Sequence, residues 1–180
     1  EAYKIFACNG ILFNHESSRR GGTFVTKKIV NGLCKVKLGI QETLYLGNLD
    51  AKRDWGHAKD YVIAMWKMLQ QKSPKDYVIS TGVNYSVREF VNLVLKELKI
   101  KYYWKGAGIK EVCVMKSSKK QIVKIDKSYI RPLEVDKLLG NSSKAKKELK
   151  WKPRVNIKQL IDEMVDEDFK IISQYDKKKR

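Results

Sequence analysis

The sequence predicts an α/β fold, because three apolar, strand-like segments are each followed by a polar loop and an amphipathic helix. The six segments, in chain order, are residues 3–14, 23–38, 44–47, 58–69, 77–80 and 87–98. Such alternation is typical of a parallel sheet covered by helices. The length of 180 residues, with 43% hydrophobic residues, suits one domain with its own core.

The first strand-like segment is a nearly continuous apolar run, of the kind buried on both faces of a parallel sheet. A polar loop follows it from residue 14 to residue 22. Asn14 could orient a ligand at the end of the strand, and His15 with Arg20 could hold a phosphate. The alternative is a surface hydrogen bond between His15 and the neighbouring Glu16.

The helix over residues 23–38 has Thr23 as its expected N-cap and Gly39 as its stop signal. Lys28 lies close to the beginning of this helix. An ammonium group there, beside the positive end of the helix dipole, would suit an anionic ligand, although such a lysine is more often merely exposed.

The central stretch joins a strand over residues 44–47 to a helix beginning at Ala58. Its apolar residues have helical spacing and predict one buried stripe, formed by Tyr61, Val62, Met65, Met68 and Leu69. The loop between strand and helix carries Arg53 and Asp54 at the edge where open parallel sheets usually receive ligands. The planar guanidinium of Arg53 suits a diphosphate, and the alternative is an ion pair between Arg53 and Asp54.

Two later motifs are informative. Ser86 and Glu89 have the spacing of a capping box at the start of a helix. Arg131 precedes a proline, which favours an extended backbone, and Glu134 lies one short turn away. An arginine for a phosphate and a carboxylate for ribose hydroxyls or a base edge would form a nucleotide clasp, and a surface ion pair is an equally good interpretation.

The net charge of +18 raises the question of nucleic acid, since clustered cations can follow phosphates. Only seven of the 38 cationic residues are arginine, and most lysines fall on expected solvent faces, so a solvated surface is favoured.

Cys8, Cys34 and Cys113 have spacings unsuited to a metal and indicate reduced thiols in a cytoplasmic protein. The sequence shows neither an apolar run of membrane-spanning length nor a signal peptide.

Four stretches together resemble the GDP-mannose 4,6-dehydratase family, within the extended short-chain dehydrogenases. They occur in that family's order, they extend over almost the whole chain, and the second is specific for this enzyme. The stretches are Asn9-Gly10-Ile11-Leu12-Phe13-Asn14-His15-Glu16-Ser17, the run from Leu46 to Val62 that contains Lys52-Arg53-Asp54-Trp55-Gly56-His57, Arg131-Pro132-Leu133-Glu134-Val135-Asp136, and Lys144-Ala145-Lys146 through Trp151-Lys152-Pro153.

The resemblance implies an incomplete Rossmann-like fold: the last parallel strands plus a smaller mixed α/β nucleotide-sugar-binding lobe. Residues 1–22 would be the last part of the NADP-binding sheet and residues 23–180 the lobe, with residues 57–82 packing back on the sheet. Because the chain begins at Glu1 and enters an apolar strand directly, we expect it to be a piece of a longer protein.

The resemblance also implies an NADP-dependent hydro-lyase that converts GDP-mannose to GDP-4-keto-6-deoxymannose, a step towards GDP-fucose and related deoxysugars. His15 and Arg20 would contact NADP. The residues that would hold GDP-mannose, with Arg53 and Arg131 on the diphosphate, are Asn14, Val25, Lys28, Arg53, Arg131 and Glu134. Relatives form dimers and tetramers, so a homo-oligomer is expected, with no membrane partner and no metal.

The chain departs from the family pattern in two ways. Ser17-Ser18-Arg19-Arg20 replaces the usual Ser-Pro-Arg-Arg, which relaxes the loop. The Gly-rich turn, the catalytic Thr and Glu and the Tyr-x-x-x-Lys pair belong to a preceding segment, so no catalytic residue is assigned. Tyr175-x-x-x-Lys179 matches that last pair by letter only, in a charged tail.

Two further hypotheses remain open. The chain could be a non-catalytic nucleotide-sugar-binding module, in which ligand binding persists without the reaction. It could also be a basic nucleic-acid-binding protein, which we rank well behind the others because it lacks any recognised nucleic-acid-binding motif.

Overall fold

The computed structural model describes residues 3–131 and 133–179, with side chains as far as residue 175. Short 3₁₀ turns cover residues 108–110 and 127–129. The strands and α-helices of the described residues are, in chain order, β1 (Gly10–Leu12), β2 (Asn14–Glu16), α1 (Val25–Lys37), β3 (Leu44–Leu46), β4 (Lys52–Arg53), β5 (Trp55–His57), α2 (Ala58–Leu69), β6 (Tyr77–Ile79), β7 (Tyr85–Ser86), α3 (Val87–Glu97), β8 (Tyr102–Lys105), β9 (Val112–Met115), β10 (Gln121–Ile125), α4 (Ser143–Glu148) and α5 (Ile157–Lys179).

The chain folds into two compact units. The first unit contains residues 1–17, 52–85 and 137–160, and the second contains residues 18–51, 86–136 and 161–180. Each unit is therefore built from three separate parts of the sequence.

The first unit is built on parallel strand pairs. Strand β1 pairs with β6, with Gly10 opposite Tyr77, and β2 pairs with β5, with Asn14 opposite Trp55. Helices α2 and α4 pack on these strands around Tyr61, Met68, Tyr77, Ile79 and Trp151. The indole N–H of Trp151 donates to the Asp60 carbonyl oxygen at 2.8 Å, which satisfies the buried ring nitrogen.

The second unit is built on a four-stranded mixed sheet with the order β3-β10-β9-β8. Strand β3 runs parallel to β10, whereas β10, β9 and β8 are antiparallel neighbours. Helix α1 packs on β3 and on α3. The fully buried residues Ile29, Leu33, Phe90 and Leu95 supply the inner faces of these two helices.

The structure confirms the α/β class and most of the expected elements. The Ser86 hydroxyl accepts from the Glu89 N–H, and the Glu89 carboxylate accepts from the Ser86 N–H, so the capping box is present. Asn156 and Gln159 cap α5 in the same reciprocal way.

Three details of the sequence interpretation are wrong. Helix α1 begins at Val25 with Phe24 as its N-cap and no side-chain cap, so Thr23 does not cap it. The run over residues 3–14 is not buried throughout, since Tyr3, Ile5 and Ile11 are exposed and β1 covers only three residues.

The expected stripe of α2 is the third error. Tyr61, Ala64 and Met68 face the core, whereas Val62, Met65 and Leu69 are 60%, 40% and 58% exposed. Helix α2 carries apolar residues on two sides, and periodicity alone does not indicate which side packs.

The cysteines fit the expectation of reduced thiols. Cys34 and Cys113 are buried and free, and burial raises the pKa of each thiol to about 12. Cys8 is half-buried and also free. Within residues 3–131 and 133–179, no group of three or more His, Cys, Asp or Glu side chains could hold a metal ion, and no helix there is long and apolar enough to cross a membrane.

Candidate functional site

In the first unit, the expected site residues lie on neighbouring segments. Asn14 and His15 belong to β2, which runs beside β5, and Arg53 precedes the first residue of β5 by two positions. All three side chains are half-buried. The His15 Nδ1–H donates to the Phe13 carbonyl oxygen at 2.9 Å, which sets the tautomer and the direction of the ring.

A buried tyrosine supports the His15 ring. The ring centroids of His15 and Tyr61 are 5.1 Å apart, and Tyr61 is fully buried. Burial raises the pKa of the Tyr61 phenol, and the nearby carboxylates of Asp54, Glu16 and Asp60 raise it further. Tyr61 therefore stays neutral and acts as packing for His15.

Asp54 is the anchor of the loop that carries Arg53. Its buried carboxylate accepts from the Thr81 N–H at 2.9 Å, the Thr81 hydroxyl at 2.6 Å, the Gly82 N–H at 2.9 Å and the Gly140 N–H at 3.4 Å. Four donors on one carboxylate fix the backbone next to Arg53. Arg53 itself donates from Nη1 to the Lys52 carbonyl oxygen at 2.9 Å.

In the second unit, a group of expected residues lies at the start of α1. Val25 is its first residue, and the Arg20 guanidinium lies 3.5 Å from the centroid of the Phe24 ring just before it. The Lys28 ammonium lies 3.3 Å from the centroid of the Tyr129 ring. Lys28 is thus held by a cation–π contact rather than extending freely into solvent.

Tyr129 is a candidate site residue that sequence reasoning missed. Its ring is 51% exposed, and it belongs to a turn whose cap is Asp126. Hydrogen bonds from the Ser128 N–H and the Ser128 hydroxyl hold the pKa of Asp126 below its ordinary value, with a smaller contribution from Lys28. The Asp-Lys-Ser sequence of that turn is a recognisable signal, but it does not reveal which lysine meets the tyrosine.

The segment after this turn carries the remaining expected residues. The Glu134 N–H donates to the Arg131 carbonyl oxygen at 3.3 Å, so the expected short turn between them is present. Arg131 is exposed and Glu134 is half-buried. The second unit therefore places Lys28 against the half-exposed ring of Tyr129, two residues before Arg131. Cations of this kind can bind phosphate, and an exposed aromatic ring can contact a base.

A glycine allows Tyr129 to take this position. A Cβ added at Gly47, just after β3, would lie 2.3 Å from the Tyr129 carbonyl oxygen and 2.8 Å from its carbonyl carbon. No side chain fits there unless the Tyr129 backbone moves.

The family model for GDP-mannose 4,6 dehydratase matches residues 1–164 of the chain. The chain belongs to the GDP-mannose 4,6-dehydratase family. Relatives include a GDP-mannose 4,6 dehydratase of Dictyostelium discoideum, 54% identical over 177 residues, which are 98% of this chain and 50% of that protein. The Homo sapiens GDP-mannose 4,6 dehydratase is 53% identical over 172 residues, 96% of this chain and 46% of that protein. The chain spans about half the length of these curated relatives.

Solved structures show the same fold at lower sequence identity. RMD from Pseudomonas aeruginosa complexed with NADPH superposes with a TM-score of 0.75 at 17% identity, over 94% of this chain and 50% of that one. A dTDP-glucose 4,6-dehydratase from Bacillus anthracis in complex with NAD gives 0.71 at 17% identity, over 94% and 46%. The expected partial Rossmann-like fold is therefore confirmed.

Proposed function

We propose that this chain is the carboxyl-terminal, nucleotide-sugar-binding part of an NADP-dependent GDP-mannose 4,6-dehydratase, a cytoplasmic homo-oligomer. The family match over residues 1–164 carries the proposal. Residues 1–22, with residues 57–82 packed on them, would complete the cofactor-binding sheet, and the rest of the chain would form the nucleotide-sugar lobe. The non-catalytic module remains the alternative.

We assign two residues to the cofactor. Arg20 would bind a phosphate of NADP, and His15 would contact the cofactor through the ring nitrogen that does not bond to Phe13. The residue types fit the group, because a guanidinium suits phosphate and the Phe13 carbonyl orients the imidazole. Bound NADP would accept hydride from C4 of the sugar and return it to C6.

We assign the substrate contacts by charge and shape. Arg53 and Arg131 would bind the diphosphate, Lys28 would neutralise it, and Glu134 would accept from ribose hydroxyls or the base edge. Asn14 would donate to the sugar, and Val25 would contact it through its side chain. The half-buried Arg53 beside the anchored Asp54 supports this assignment, since a fixed backbone lowers the entropic cost of binding.

Replacing Arg53 should weaken nucleotide binding. We expect R53A to bind GDP about tenfold more weakly than wild type, because a charge-assisted contact to phosphate contributes about 1.5–3 kcal/mol. R53K should lie between the two, since an ammonium group keeps the charge and loses the bidentate geometry. R154A, at an exposed arginine of the same unit, is the matched control and should bind GDP like wild type. Equal affinities of R53A and R154A in calorimetry would refute the role of Arg53.

The chain alone should bind without turnover. Hydride removal from C4 requires a base of lowered pKa, commonly a tyrosine beside a lysine. Burial instead raises the pKa of Tyr61 and Tyr102, and burial with the hydrogen bond to Glu148 raises the pKa of Tyr77 to about 12. Incubation of the 180 residues with GDP-mannose and NADP should give no 4-keto product, and measurable product would contradict this expectation.

Gly47 offers a test of the Tyr129 position. The methyl group of G47A would displace the Tyr129 backbone and with it the contact to Lys28, so GDP affinity should fall by roughly three- to tenfold. G22A is the control, because a Cβ at Gly22 meets no atom within 4 Å. The account of Lys28 and Tyr129 fails if G47A remains folded by circular dichroism and binds GDP as tightly as G22A.

A further inference from the structure

A groove in the second unit brings four lysines together. It has a volume of about 510 Å³, and Lys37, Lys99, Lys101 and Lys116 line it. Ile100 and Met115 add apolar atoms to its lining, and Ser117 adds a hydroxyl group. No Asp or Glu occurs among the described residues that line the groove.

The backbone fixes the lysines in this arrangement. Lys37 ends α1, Lys99 and Lys101 lie in the link from α3 to β8, and Lys116 follows β9. The Lys116 N–H donates to the Lys101 carbonyl oxygen at 2.8 Å, and the Ile100 N–H donates to the Leu95 carbonyl oxygen at 2.9 Å. The groove therefore exists before any ligand binds, which reduces the ordering cost of binding.

The charges of these lysines are not balanced locally. None of the four ammonium groups forms an ion pair with another residue in the part of the chain that the structure describes. Lys37 and Lys99 lie at helix C-termini, where a cation offsets the helix dipole. That explanation does not apply to Lys101 or Lys116, which stand beside β8 and β9, so the groove keeps an excess of positive charge.

We propose that this groove binds a small anion with two or more phosphate groups. Several ammonium groups around one concave surface focus a positive potential, which a multivalent phosphate neutralises. The volume suits a molecule of triphosphate or nucleotide size, and the apolar side chains of the lining can contact a base. Seven described residues line the groove, a surface too short for the extended track that a nucleic-acid strand requires, and this favours a small ligand.

This groove is separate from the contacts assigned to GDP-mannose. Lys37 lies nine residues beyond Lys28 on α1, a distance of about 13 Å along the helix axis. None of the residues assigned to GDP-mannose lines the groove, so binding there does not depend on the proposed function.

Calorimetry of the 180-residue chain with sodium tripolyphosphate tests the proposal. We expect one saturable site per chain and a loss of affinity of about tenfold or more in K99Q/K101Q/K116Q, since these substitutions remove three of the four ammonium groups that line the groove. The control K72Q/K147Q/K158Q makes the same change in net charge at exposed lysines of the first unit and should retain affinity within about twofold. Thermal unfolding of both variants checks that each remains folded.

The outcomes separate the possible sources of the phosphate. Tighter binding of ATP than of tripolyphosphate supports the proposal with a nucleotide as the ligand, and equal binding supports it with an inorganic oligophosphate. The proposal is overturned if no saturable binding occurs, if the two triple variants lose affinity equally, or if single-stranded RNA binds tightly and outcompetes tripolyphosphate.

Discussion

Replacement of Asp54 by alanine should destabilise the chain by about 3 kcal/mol or more. Asp54 is fully buried, and its carboxylate accepts four hydrogen bonds from Thr81, Gly82 and Gly140. Removing it takes away the acceptor of four donors, of which the Gly140 N–H is buried and those of Thr81 are half-buried, and each buried donor left unsatisfied costs about 1–3 kcal/mol. The free energy of unfolding from urea titration measures the effect.

Two further variants test whether the loss of stability is specific to the buried carboxylate of Asp54 or follows the removal of any aspartate. D54N keeps one carbonyl oxygen as an acceptor, so its stability should lie between that of D54A and wild type. D50A is the control, because the Asp50 side chain is 80% exposed in its pair with Arg88, and such pairs contribute about 0–1 kcal/mol. If D54A unfolds within about 1 kcal/mol of D50A, Asp54 is not the anchor of the Arg53 loop.

Breaking the buried pair between Lys27 and Asp168 should have a similarly large effect. The two side chains are 13% and 3% exposed, and Lys27 also donates to the Ser18 carbonyl oxygen at 2.6 Å. Removing one partner of a buried pair leaves an uncompensated charge and costs about 3–5 kcal/mol. We therefore expect K27M to lower the free energy of unfolding by this amount, measured by urea titration.

The double variant distinguishes an uncompensated charge from lost packing. K27M/D168L replaces both charges by apolar groups and should recover most of the stability that K27M loses. K75M is the control, since Lys75 and Glu148 are 48% and 31% exposed and contribute little. If K27M/D168L is less stable than K27M, packing rather than the buried charge determines the loss.

The sequence predicts those parts of the fold that depend on local chemistry. The capping box of α3 and the paired caps of α5 each use residues three positions apart, so the motif alone defines them. The strand pairing is different. Strand β3 pairs with β10, about 80 residues later, and no local pattern indicates that partner. Helix α2 has apolar residues on two sides, and the sequence does not show which side packs on the core until the neighbouring elements are known.

The candidate site also has features that the sequence predicts and features that only the structure reveals. Guanidinium and carboxylate groups in loops after strands can be recognised from the sequence, and the family resemblance assigns them roles. The contact of Lys28 with Tyr129 joins residues about 100 positions apart and depends on the space left by Gly47. The sequence does not indicate the role of Asp54 either, because its four donors come from two distant segments of the chain.

Calorimetric titration of this chain with GDP-mannose and with UDP-glucose tests the central claim most directly. If the chain carries the nucleotide-sugar-binding part of a GDP-mannose 4,6-dehydratase, GDP-mannose should bind at one site per chain and more tightly than UDP-glucose, by about tenfold or more. R53A should weaken the binding of GDP-mannose, and R154A should not. Absence of saturable GDP-mannose binding by the folded chain, or equal affinity for the two nucleotide sugars, would contradict the account.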